Sequence, residues 1–233
     1  MNFQRSIFII SLFLMLGLIA CEAETDAVIS DEEALEQVEA ALVTTEGGIT
    51  TQAVDAAELS TATASLYQNN CSFSGDSTFN YAQSGGNRSV SFTYTYEWSV
   101  ECEGFVPDVF KLETFYTGSY DGIRYDATID GGGNYKVDQL LTGSEYLLSG
   151  EYSYTGMQEF QGRSTRSLNT TFEMAFSSVT VDKNTQEITG GTGTFSILAQ
   201  GVNGSRTVVG AFTYLGGGVA EVTINGTTYT VNL

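Results

Sequence analysis

The stretch that decides the fold is residues 89–102, SVSFTYTYEWSVEC. Val90, Phe92, Tyr94, Tyr96, Trp98, Val100 and Cys102 fall on one phase of a two-residue period. Ser89, Ser91, Thr93, Thr95, Glu97, Ser99 and Glu101 fall on the other. Successive side chains of a strand point to opposite faces, so this alternation predicts one long strand with a buried face and a wet one. A turn centred on Gly86-Asn87 would fold the preceding segment back onto it, with paired positions summing to 173. That register sets Tyr81 opposite Phe92, Phe79 opposite Tyr94, Gly75 opposite Trp98 and Phe73 opposite Val100, so that two apolar faces coincide. It also sets Cys71 opposite Cys102, and in an exported protein two such cysteines most simply form a disulfide. The chain-entropy argument gives such a bridge about 3–4 kcal/mol.

Noisier alternation runs through residues 110–120, 146–154, 168–176, 194–199, 208–214, 219–224 and 227–233. Turn signals separate these runs: Gly85-Gly86-Asn87, Gly131-Gly132-Gly133-Asn134, Asp182-Lys183-Asn184, Gly201-Val202-Asn203-Gly204, Gly216-Gly217-Gly218 and Asn225-Gly226. Residues 66–233 are therefore expected to form an all-β domain, an antiparallel meander of about nine to eleven strands. A flat sheet would leave many Tyr and Phe in water, so the sheet must close on itself or fold into two layers. Short consecutive turns favour a lipocalin-like barrel or half-barrel, with a β-sandwich as the alternative. A glycine recurs two residues before an aromatic at Gly118/Tyr120, Gly150/Tyr152, Gly193/Phe195 and Gly210/Phe212. This spacing lets a neighbouring ring lie over bare backbone and lets the sheet bend.

Residues 21–65 read differently. Eleven carboxylates and no Lys or Arg lie between Cys21 and Leu66. Ser30 and Glu33 have capping-box spacing, and Leu35, Val38 and Leu42 follow at helical intervals until Gly47-Gly48. Residues 50–65 read as a second short helix or a flexible linker. The expectation is an acidic, self-repelling tether that contains a helix.

The first residues indicate where the protein resides. Arg5 and an apolar run over residues 7–20 lead into Leu18-Ile19-Ala20-Cys21. That run is too short to span a bilayer comfortably and ends on a small residue before Cys. It resembles the lipobox signal of bacterial lipoproteins. The resemblance covers residues 1–21 and implies a cleaved signal over 1–20, a lipidated Cys21, and attachment to the outer membrane on its periplasmic side or at the cell surface. Two or three acyl chains would hold the protein there durably.

Composition narrows the chemistry. The chain carries 28 acidic and 9 basic residues and has a net charge of −19. Nucleic acid is excluded as a partner, because it is bound through the Lys and Arg clusters that this chain lacks. There is no histidine, which removes Ser-His-Asp and Cys-His nucleophiles and imidazole metal sites. Carboxylate chemistry survives, with Glu97, Glu101, Asp126, Asp130, Asp138, Glu145 and Glu173 as candidates that no spacing singles out as a pair. Asp126, Asp130, Asn134 and Asp138 surround the triple glycine and are a weak calcium candidate, with a solvated hairpin tip as the favoured explanation. The leading expectation is a noncatalytic envelope protein without a cofactor. Its aromatic interior (Tyr94, Tyr96, Trp98, Tyr152, Phe172) would take an apolar small molecule, a lipid or an envelope protein partner. An adhesion or glycan-binding module and a carboxylate-only hydrolase are the alternatives. A cavity would favour the first, an exposed aromatic row the second, and two facing acids the third.

Overall fold

The computed structural model describes residues 28–42, 49–66, 73–85, 88–123, 125–161 and 166–233. Among these described residues, ten strands follow two helices, α1 (Asp31–Leu42) and α2 (Ile49–Leu66). The strands are β1 (Ser74–Gly85), β2 (Arg88–Glu103), β3 (Val106–Asp121), β4 (Tyr125–Asp138) and β5 (Glu145–Phe160), then β6 (Arg166–Asp182), β7 (Ile188–Gly201), β8 (Gly204–Gly216), β9 (Val219–Ile224) and β10 (Thr227–Asn232). Each pairs antiparallel with its chain neighbour, giving one sheet in the order β1 to β10. The all-β meander expected from the alternation is what forms. The predicted first register holds from Ser74↔Ser99 to Gly85↔Arg88, and the Val100 amide donates to the Phe73 carbonyl at 2.9 Å. At the far end Asn225 and Gly226 both take positive φ, 49° and 83°, as a two-residue type I′ hairpin turn requires.

The sheet neither closes into a barrel nor splits into a sandwich, because β1 and β10 do not pair and all ten strands belong to one sheet. The helices take the place of the missing wall. Strands as distant as β2 and β8 both reach α1, through Arg88 to Glu39 and Arg206 to Asp31, so the sheet curls around the helix. The interior that a lipocalin-like barrel would leave hollow is filled. Ala34, Val38, Ala41 and Leu42 of α1 and Ala53, Ala56 and Ala57 of α2 are buried against the sheet.

Residues 31–42 and 49–66 are therefore not a solvated spacer. The predicted capping box does form: the Ser30 amide donates to Glu33 Oε2 at 2.8 Å and the Glu33 amide to Ser30 Oγ at 3.2 Å. The acids of α1 are pinned to the sheet as well, Glu33 by Arg166 and Asp31 by Arg206 and Asn225. Buried polar pairs lock the helices in depth. Gln37 donates to Gln158 at 2.9 Å and Gln52 accepts from Tyr135 at 2.6 Å and Thr114 at 2.9 Å. Thr50 bonds Tyr214 at 3.1 Å.

The triple glycine is also corrected. Gly131, Gly132 and Gly133 lie inside β4, paired on both sides to β3 and β5. On the inner face a Cβ at Gly131 would come within 2.7 Å of the Tyr116 hydroxyl. The bare strand lets Tyr116 of β3 stack on Tyr152 of β5 across it, with ring centroids 5.7 Å apart. The stack extends through Tyr94 and Phe79 in one direction and through Phe172 and Phe195 in the other. Such contacts add about 0.5–1.5 kcal/mol each beyond burial.

Candidate functional site

The aromatic stack runs from the core out to the edge of the sheet, and there it borders a cleft walled partly by rings. Helix α2 covers the inner face of β3 to β5 but leaves that of β1 uncovered, so Phe79 remains 38% exposed. Between the two lies a cleft of about 440 Å³. Its helical wall presents Gln52, Asp55, Glu58, Leu59 and Ala62. Its sheet wall presents Phe79, Tyr94, Tyr96, Leu112 and Thr114. Phe79 stacks on Tyr94 at 5.1 Å and meets Tyr96 edge-on at 5.8 Å. The volume falls in the range of small-molecule sites.

The electrostatics of the cleft are one-sided. Burial pushes the Asp55 carboxyl up to about 6, with the neighbouring Glu58 charge adding to the effect. No Lys or Arg lines the cleft, and neither carboxylate has an ion pair among the described residues. Gln52 and Thr114 at its floor are already engaged with each other and Tyr135. Deeper in, burial raises the phenols of Tyr116, Tyr135, Tyr154 and Tyr214 well beyond their ordinary range and that of Tyr152 to about 12. These hydroxyls serve as hydrogen-bonding groups and not as bases near neutral pH.

No protein-family model, curated protein or solved structure matches the chain. What the cleft can do therefore rests on its own geometry.

Of the five aromatics expected to face a ligand, Tyr94 and Tyr96 line the cleft. Tyr152 and Phe172 are core, buried under the helices. Trp98 stacks on Phe110 at 6.0 Å and covers Gly75. Sequence reasoning missed Phe79, Asp55 and Glu58. The register pairs Phe79 with Tyr94, but strand alternation alone does not mark it as a ligand contact. The two acids stood in a segment read as solvated.

The calcium candidates are not brought together. Asp126, Asp130, Asn134 and Asp138 lie on β4 four residues apart, so neighbours are about 13 Å from one another. Asp126 accepts a hydrogen bond from Gln161, and Asp138 pairs with Lys136 at 2.9 Å. The other acids are similarly dispersed over the outer face: Glu101 pairs with Lys111, Glu145 accepts from Thr189, and Glu173 lies between Ser153 and Ser196. Glu97 stands directly opposite Glu113 and Asp76, a like-charge row that weakens local pairing. Wide concavities on that face are lined by Ser, Thr and Gly residues together with Glu113, Asp130, Glu151 and Glu173. No described Tyr is exposed, and Phe115 stands on the outer face without an aromatic row around it.

Cys102 is not a free thiol, while Cys21, Cys71 and the Gly86-Asn87 turn lie outside the described residues. Among the described residues no helix is long and apolar enough to cross a membrane.

Proposed function

We propose that this is a noncatalytic lipoprotein of the outer membrane, anchored through Cys21 after removal of residues 1–20, whose β domain binds an apolar or amphipathic small molecule. The observation that carries the binding reading is the ring-walled cleft between α2 and β1–β3. It combines apolar surface with a few polar groups, the usual make-up of a ligand site. The lipobox-like sequence supports the anchor, and the acidic balance of the chain argues against nucleic acid as a partner. A Cys71–Cys102 disulfide belongs to the same proposal; what supports it is that the pairs from Ser74↔Ser99 to Gly85↔Arg88 keep the sum of 173 that the two cysteine positions also satisfy.

The test is a titration of the full chain with the neutral fluorophore N-phenyl-1-naphthylamine. Saturable enhancement is expected, reduced by at least about tenfold in affinity when Ala62→Trp fills the cleft. Binding that does not saturate, or that ignores Ala62→Trp, would remove the cleft as the site.

A further inference from the structure

We propose that the cleft selects an organic cation, an amine or quaternary ammonium carried on an apolar body, and disfavours fatty acids and other anionic amphiphiles. This inference rests on the small-molecule reading above and specifies the charge of the ligand.

The argument begins with what an unpaired acid costs. A carboxylate withdrawn from water without a partner is unfavourable, and proteins ordinarily supply Arg, Lys or several hydrogen bonds. Elsewhere this chain does so for three part-buried acids of α1: Asp31, Glu33 and Glu39 each meet an arginine of the sheet. Asp55 is half-buried and faces the cleft beside Glu58, with no base on either wall. The titratable groups around it are Glu58 on its own helix and the phenols of Tyr94 and Tyr96 on β2; the remaining lining from β1 and β3 is Phe79, Leu112 and Thr114.

The walls complement the same ligand. Phe79, Tyr94 and Tyr96 form a contiguous three-ring surface, and aromatic faces attract ammonium groups, more strongly where water is excluded. Leu59, Ala62 and Leu112 supply the apolar surface for its body. A carboxylate ligand would meet two acids and no donor cation. The overall charge of −19 also raises the local concentration of cations over anions at low ionic strength.

The test uses three probes with one phenylbutyl body and different heads: trimethylammonium, alcohol and carboxylate, each titrated calorimetrically into the full chain. The ammonium is expected to bind about tenfold or more tightly than the alcohol, and the carboxylate weakest. Asp55→Asn is expected to bring the ammonium-to-alcohol ratio to within about twofold of unity, and Glu58→Gln to lower it less. A quaternary head cannot titrate, so its affinity should fall between about pH 7.5 and pH 5 as Asp55 takes up a proton, and should stay level in Asp55→Asn. Equal binding of ammonium and alcohol, or a ratio that survives Asp55→Asn, would overturn the charge assignment and leave the cleft reading standing. If none of the three binds, both fall.

Discussion

At the scale of single residues, Asp55 makes the stability of the protein depend on pH in an unusual direction. Its carboxyl titrates near 6 in the folded chain and near 3.9 once unfolded. Between these values the folded state holds a proton that the unfolded chain has already released. Stability from this group therefore falls as pH rises from about 4 to about 6 and stays low above that. Asp55→Asn should flatten this window and raise stability at neutral pH by about 1–3 kcal/mol, read by urea denaturation across that range. The cross-strand Gly–Phe pairs give the opposite sign. Gly193 faces Phe212 and Gly210 faces Phe195, and a Cβ at either would come within 2.3 Å of the facing ring. Gly210→Val should cost about 1–3 kcal/mol in the same assay. That motif was legible, because glycine two residues from an aromatic has a local meaning on a strand. The burial of Asp55 was not, since it depends on where α2 docks.

At the scale of elements, the strands were legible, and α1 was legible as a helix and α2 as a helix or linker, but neither as part of the core. The two-residue period survives translation into structure because neighbouring strands need only a shared face, and the first hairpin fixed even its register. The triple glycine misled because the same residues that make turns also make room, here for Tyr116 and Tyr152 to meet across β4. The helices misled through their composition. Ala, Thr and Ser read as linker, yet small side chains are what lets a helix enter the curl of a sheet. The acids of α1 read as solvated, but three of their partners, Arg88, Arg166 and Arg206, lie more than forty residues away in sequence. The capping box of α1 can be tested directly. Ser30→Ala removes the side-chain acceptor at the Glu33 amide and should lower stability by about 0.5–2 kcal/mol.

For the whole molecule, an open sheet wrapped on its own N-terminal helices, nearer to the half-barrel than to the closed barrel of the two forms expected, differs in stability from a closed barrel. A closed barrel would keep its core without residues 31–66. Here those residues bury Ala34, Val38, Leu42 and Ala57 against the inner face and give Tyr135, Tyr214 and Gln158 Oε1 a hydrogen-bond partner. A chain comprising residues 67–233 alone should lose its near-ultraviolet circular dichroism, bind an anilinonaphthalene dye and aggregate. If it stays monomeric with native-like spectra, the helices are dispensable to the fold.

The order of the elements along the chain also sets a timetable. Every strand pairs with its immediate successor, so the meander can zip by closing short loops, each of modest entropic cost. The contacts of α1 with Tyr154 and Gln158 span 117 and 121 residues and have no surface to form on until the strands beneath them exist. Helices made before the strands are thus expected to dock after them. A sheet still awaiting its helices would leave Tyr135, Tyr154 and Tyr214, buried in the finished fold, open to the surroundings, and in that interval the chain would be most exposed to mispairing.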